Sequence, residues 1–430
     1  MYHKLHCLHS RAPRLARSLT LPLLMVAVAF LIIPSSHAED WPEFRGPTHQ
    51  GHYPGKLPRE WSEQKNVLWT AEVPGKGWSS PVIRAGRIYL TSAVPSENEE
   101  QQLLRCLCLD ASTGKTLWDT ELFKQDEDKA PKIHSKNSHA SPTPLVTAEH
   151  VYVHFGHMGT ACLNLTGKVV WKNNEYRYKP VHGNGGSPCL VNDHLIFSCD
   201  GDDLQAVIAL DARTGATRWK VDRKANPGKR FSFGTPLAIE IQGKTQVICP
   251  GSDVVMALDP ATGAEFWRLR YKGYSQIPRP LYANGLLYIC TGYDSPQVLA
   301  IKPDGKGDVT DTHLIWKVTR NAPNTPSPVI VGDDFYMVAD NGVFTCLNAR
   351  NGEQRWQGRL TGGYSASLLA AGGVIYALNE QGTCFIIEPG TQFKQPEKNS
   401  ITGQTLASLA AWDGKLLLRT DERLYCIGVK

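Results

Sequence analysis

The feature that most constrains this chain is a short motif that returns at a near-constant interval. Leu109-Asp110-Ala111-Ser112-Thr113-Gly114 precedes Trp118, and Leu210-Asp211-Ala212-Arg213-Thr214-Gly215 precedes Trp219. Leu258-Asp259-Pro260-Ala261-Thr262-Gly263 precedes Trp267, and Leu347-Asn348-Ala349-Arg350-Asn351-Gly352 precedes Trp356. A shortened copy runs from Leu163 to Gly167 with Trp171. One around Ile301 to Trp316 carries a polar insertion, and one is reduced to Glu388-Pro389-Gly390 with Phe393. Trp69 fills the tryptophan slot near the start. Repetition at this period means one supersecondary unit stacked on copies of itself.

The chemistry of the unit says what it is. Asp-x-x-Thr-Gly is a hairpin turn whose glycine takes the left-handed conformation of a bulged loop. Before it stands a short apolar run such as Val254-Val255-Met256-Ala257-Leu258, too brief for a helix. The tryptophan strand follows, and two more strands lie upstream around a tight turn such as Ala85-Gly86. Starts of the first strand fall at Ser80-Pro81, Thr143-Pro144, Ser187-Pro188, Thr235-Pro236, Arg279-Pro280 and Ser327-Pro328, with variants at Ser365-Ala366-Ser367 and Ala407-Ser408. Proline lacks the donor for a central ladder, so this strand has a free edge, as the innermost strand of a radial propeller does. The expectation is an all-β, eight-bladed β-propeller of four-stranded antiparallel blades. The last unit has three strands of its own, so the strand around Trp69 is expected to close it beside residues 424–427. Residues 66–430 then form one propeller domain, residues 39–65 an N-terminal extension and residues 1–38 a signal peptide.

That leader is basic over residues 1–18 and apolar over residues 21–33, with Ser36-His37-Ala38 at cleavage spacing. Thirteen apolar residues fall short of the ~20 that a membrane span needs, so cleavage after Ala38 and no transmembrane segment in the mature chain are expected. The chain has 46 Lys+Arg against 41 Asp+Glu, and four of the bases lie in the leader. The remaining body is near neutral and offers no footprint for nucleic acid. Cys108, Cys162 and Cys346 stand where sister copies carry Ala209 and Ala257. A thiol that alternates with alanine is a small apolar filler, so free, buried thiols are expected.

The Ala-Leu-Asp-x-x-Thr-Gly-x-x-x-Trp repeat resembles that of the pyrroloquinoline-quinone (PQQ) enzyme-like propellers, a family of quinoprotein alcohol dehydrogenases and BamB-like envelope proteins. Trp41-Pro42-Glu43-Phe44-Arg45-Gly46-Pro47 is similar to the opening of exported, planctomycete-type members. The resemblance implies that each tryptophan docks on a neighbouring blade. It also implies two functions. One is a non-catalytic binding or scaffold module in the periplasm or cell envelope, with a protein, peptide or glycan as partner. The other is a PQQ-dependent dehydrogenase or carbohydrate-active enzyme. In such dehydrogenases calcium and adjacent cysteines accompany the quinone; this sequence has no Cys-Cys dipeptide and no Cys-x-x-Cys-His haem motif. The first reading is therefore favoured, with no cofactor and no metal.

Residues that break the repeat are not demanded by architecture. Segments joining a tryptophan strand to the next inner strand are expected to gather at one mouth of the channel. They carry Trp78, His139, His182, Asn184, Phe231, Ser232, Tyr274, Gln276, Arg279, Asn324 and Tyr364. Imidazoles, amides, a cation and aromatic faces converging on one rim suit a polar ligand. As rim residues, Arg279 and Tyr364 are expected to tolerate alanine at a cost below ~1 kcal/mol.

Overall fold

The computed structural model describes residues 40–97, 99–126 and 132–429, so the leader and its cleavage point lie outside the described residues. Eight sheets follow one another along the chain. Blade 1 is built from Val82–Arg84, Arg87–Pro95, Gln101–Asp110 and Thr116–Asp126. Inner strands of blades 2 to 8 begin at Leu145, Cys189, Leu237, Leu281, Val329, Leu369 and Ala410. Val67–Glu72 pairs antiparallel with Arg423–Ile427, placing Trp69 opposite Cys426, so an N-terminal strand closes the ring. Helix among the described residues amounts to one 3-10 turn, Gly156–Met158.

Two blades gain a fifth strand. The polar insertion of the copy around Ile301 to Trp316 places Gly307–Asp308 parallel to the outer strand Glu265–Arg270 of blade 4. His52–Tyr53 lies parallel to the inner strand Leu369–Ala371 of blade 7. Both additions satisfy backbone groups that an edge strand leaves unpaired.

The tryptophans bridge consecutive blades. Their Nε1–H groups donate to the turn of the following blade: Trp69 to Ala111 O, Trp118 to Leu165 O, Trp171 to Ala212 O and Trp219 to Pro260 O, at 3.0–3.1 Å. Trp267, Trp316 and Trp356 continue the series to Pro303 O, Ala349 O and Gly390 O. The turn glycine has two reasons to be glycine. Gly215 has φ +73°, and a Cβ there would lie 2.6 Å from the ring of Trp171. The motif thus encodes both the turn and the seat of the neighbouring indole.

The Ser/Thr-Pro starts form a belt around the axis. Backbone N–H groups of Ser80, Thr143 and Ser187 donate to the hydroxyls of Thr143, Ser187 and Thr235, each one blade on. Arg279, Ser327, Ser367 and Ser408 donate likewise to Ser327, Ser367, Ser408 and Ser80, all at 2.9–3.1 Å. The belt breaks once, between Thr235 and Arg279, where position 279 has no hydroxyl. There the guanidinium reaches back to Pro236 O, with Nη2 at 2.9 Å.

The extension fills the other end of the channel. Trp41 exchanges two backbone bonds with Ile83 of blade 1, and Val146 N of blade 2 donates to Pro42 O. Arg45 donates to Ser327 O and Pro328 O of blade 6 and to Leu368 O beside blade 7. Tyr53 Oη accepts from Gly414 N of blade 8, and Trp61 stacks on Tyr376 of blade 7 at 6.5 Å. Trp41, Tyr53, Leu57 and Trp61 are all buried.

Candidate functional site

Belt, extension and mouth loops together enclose an axial cup of about 380 Å3. Phe44 of the extension contributes to its lining from below, and the hydroxyls of Ser80, Thr143, Ser187, Thr235, Ser367 and Ser408 form its waist. Each of these hydroxyls accepts a backbone N–H from the preceding blade. A hydroxyl that accepts still has its own proton to donate, so the waist presents a ring of O–H donors. The volume is that of a small-molecule pocket.

Above the waist an arc of rings runs across successive loops. His134 meets His182 edge-to-face at 5.6 Å, and His182 meets Phe231 at 5.2 Å. Phe231 meets Tyr274 at 5.4 Å, and Tyr274 meets Tyr293 at 6.5 Å. Edge-to-face contacts of this kind stabilise by ~0.5–1.5 kcal/mol beyond burial. The arc is held rigidly from behind. His182 has φ +66° and Ser275 φ +57°, backbone states uncommon for residues other than glycine. His182 O accepts from Asn137 Nδ2 at 2.8 Å, and Ser275 N donates to Phe231 O at 2.9 Å.

Of the residues singled out in the sequence, Trp78, His182, Phe231 and Tyr274 line the cup. The others face elsewhere. Asn184 is buried, donating to Phe155 O and accepting from Tyr178 Oη at 3.2 Å. Ser232 donates to Gln276 Oε1, and Gln276 Nε2 donates to Thr291 O, tying two loops together inside the wall. Backbone N–H of Asn324 is held by Asp340 at 2.8 Å. His139 is half-buried and outside the cup lining. Tyr364 is wholly buried in the apolar cluster between blades 6 and 7 and donates to Thr361 O.

Arg279 requires a correction: it is not a rim contact that alanine can replace cheaply. Its side chain is 0% exposed, with Nη1 2.6 Å from both Glu43 Oε1 and Phe44 O. It breaks the hydroxyl belt in order to grip the extension. The same correction applies to Tyr364, whose burial makes it structural.

Electrostatics follow from these contacts. Burial by itself raises the carboxyl of Glu43, but Arg279 and His49 outweigh it and hold the group below the usual carboxylate range. Burial pushes Arg45 down to about 9, with Arg279 adding to the effect, and burial alone pushes Arg419 down to about 9. Burial also lowers Lys136, but its bond to Glu380 at 2.7 Å more than reverses this and leaves it raised. His182 is lowered by burial, His134 and Lys132. Elsewhere His154 bonds Thr160 Oγ1 and packs on Phe197, whereas His157 turns to Asn184. Asp200 is buried against Arg223 at 2.7 Å. The ten described cysteines are free and buried.

Sequence reasoning missed Phe44, His134, Lys136 and Tyr293 among the lining residues. His134 and Lys136 share a connecting segment with His139, which was the available signal. Phe44 comes from outside the repeat and Tyr293 from a hairpin within blade 5, so the loop pattern pointed to neither.

The sequence model of the family described as outer membrane protein assembly factor BamB matches residues 60–179 and 203–429. The outer membrane protein assembly factor BamB of Burkholderia pseudomallei (strain K96243) is 26% identical over 321 residues, covering 70% of this chain and 72% of its own. Among solved structures, BamB from Moraxella catarrhalis aligns at TM-score 0.58 and 15% identity, over 84% of this chain and 96% of its own. A europium-containing methanol dehydrogenase aligns at TM-score 0.64 and 11% identity, over 91% and 98%. At such identities the two structures speak for the propeller fold alone.

Proposed function

The chain belongs to the family of the outer membrane protein assembly factor BamB, and from that premise we propose that it is a non-catalytic binding module of the cell envelope whose site is the axial cup. The observation that carries this reading is the union of a rigid aromatic arc and a ring of O–H donors around one cavity. Such a cavity binds by stacking and directional hydrogen bonds. Export is supported by the composition of residues 1–38. Among the described residues no helix is long and apolar enough to cross a membrane. A protein partner docking over the mouth, as the word assembly in the relatives' name suggests, is the partner class we favour over a glycan.

A quinone-dependent dehydrogenase is the competing reading. A hard cation beside a quinone needs carboxylate or carbonyl oxygens, but the residues lining the cup include no Asp or Glu. The amide of Asn137, also in the lining, is committed to His182 O and Ser141. The residues present do not fit a quinone–metal pair.

A fragment screen by ligand-observed NMR tests the proposal. Fragments are expected to bind the wild-type protein and to lose at least tenfold in affinity with Phe231→Ala. Equal binding to both proteins removes the cup as the site. Calcium-dependent reduction of a dye by alcohols after addition of PQQ would make the protein an enzyme.

A further inference from the structure

Two of the cations built around the cup lack an ion-pair partner among the described residues. Lys136 is paired with Glu380 and Arg279 with Glu43. Arg45 and Arg419 have no carboxylate partner among the described residues. Arg45 follows Phe44 beneath the cup and donates only to carbonyls, those of Ser327, Pro328, Leu368 and Gln50. Arg419 is 1% exposed and donates through Nη1 to Ser79 O, Ser79 Oγ and Thr91 O, beside the belt residue Ser80. Its Nε and Nη2 have no hydrogen-bond partner. A buried cation without a counter-ion is destabilising, and bonds to carbonyls and a hydroxyl satisfy the N–H donors that make them without neutralising either charge.

The lining has a matching asymmetry. It offers hydroxyl donors at the waist and no carboxylate to accept from a ligand's own O–H groups. The donors of a sugar would meet no carboxylate there, and each waist hydroxyl has one lone pair left after accepting a backbone N–H. A ligand rich in acceptors and poor in donors uses the O–H groups of the waist directly, and the rings of Trp78, Phe231, Phe233 and Tyr274 provide an apolar wall for its body.

We propose that the cup takes a small organic acid, with its carboxylate at the hydroxyl waist between Arg45 and Arg419 and its aromatic body against the arc. This rests on the reading of the cup as the binding site and adds the class of ligand. The carboxylate accepts from belt hydroxyls, and the two unpaired guanidinium charges, themselves buried, act on it through the protein rather than through bulk water. Arg419 is a positioning charge that acts through the field and does not touch the ligand.

Calorimetric titration of the full chain with three probes tests the class: 3-phenylpropionate, its primary amide and inorganic phosphate. The acid is expected to bind at least tenfold tighter than either of the others. Arg419→Met, which keeps the volume and removes the charge, is expected to weaken the acid at least threefold, leave the amide unchanged and not lower the melting temperature. Equal affinity for acid and amide would overturn the acid class while leaving the cup as a site. Phosphate binding as tightly as the acid would overturn the role of the aromatic body. Failure of all three probes overturns the proposal, whereas the fragment screen decides the cup itself. Should Arg419→Met fail to fold, the acid-to-amide ratio in the wild-type protein decides alone.

Discussion

Arg279 joins two parts of the molecule that no local rule connects. It replaces the hydroxyl that every other inner strand except its own contributes to the belt, and its guanidinium meets a carboxylate 236 positions away in sequence. Removing one member of a buried, hydrogen-bonded ion pair leaves the other uncompensated, at a cost of about 3–5 kcal/mol. Arg279→Ala should lose that much stability in urea unfolding near neutral pH. The sign of the pH dependence gives a second check. Glu43 is held below the usual carboxylate range in the folded protein, so its contribution is complete above that range and is lost as the pH falls through the depressed value. Without Arg279, only His49 opposes the raising effect of burial, so the carboxyl of Glu43 takes up its proton at a higher pH than in the wild type. The deficit of Arg279→Ala relative to wild type should therefore shrink between pH 6 and pH 4. A deficit that stays constant over that interval would mean Glu43 is not the group that Arg279 holds.

Each blade repeats one joint: the turn of one sheet carries the indole of the sheet before it. Two glycines separate the demands of the turn from those of the indole. Gly243 has φ +74° with open space where a Cβ would stand, and Gly215 has φ +73° with Trp171 at 2.6 Å. Alanine at Gly243 bears only the left-handed backbone, about 1–2 kcal/mol. At Gly215 it must also displace the indole, adding about 1–3 kcal/mol of overpacking. Equal losses in thermal unfolding would refute the seating role. The joint also explains what could be read from the sequence. Asp211, Gly215 and Trp219 were legible because every blade needs the same turn and wedge, and the loop order then brought Trp78, His182, Phe231 and Tyr274 to one mouth. Ser80 and Ser408 were legible only as strand starts, because a hydroxyl belt is a property of the closed ring. Arg279 and Tyr364 broke the repeat as functional residues do, but for reasons of packing against partners distant in sequence.

At the scale of the whole molecule, the ring is closed twice. Val67–Glu72 completes the sheet of blade 8, and the extension then ties blades 1, 2, 5, 6, 7 and 8 together across the channel end. The two closures do different physical work, and truncation separates them. A variant lacking residues 39–75 loses the closing strand, so Arg423–Ile427 becomes an open edge and aggregation follows. A variant lacking only residues 39–62 keeps every sheet closed except for the two-residue addition at blade 7. It should remain a monomer by light scattering. It should nonetheless melt well below the full chain, because burial of side chains such as Trp41 and Trp61 stabilises by about 1.5–3 kcal/mol each and Arg279 is left without its carboxylate. The extension binds mostly by side chains and short bridges to a ring that is already complete. A synthetic peptide of residues 39–62 added to that variant should therefore raise its melting temperature in proportion to the logarithm of peptide concentration. The same peptide with Glu43→Gln should restore less, since the amide leaves Arg279 charged and unpaired. If the shorter truncation aggregates as readily as the longer one, the extension is part of the fold and not a plug laid into it.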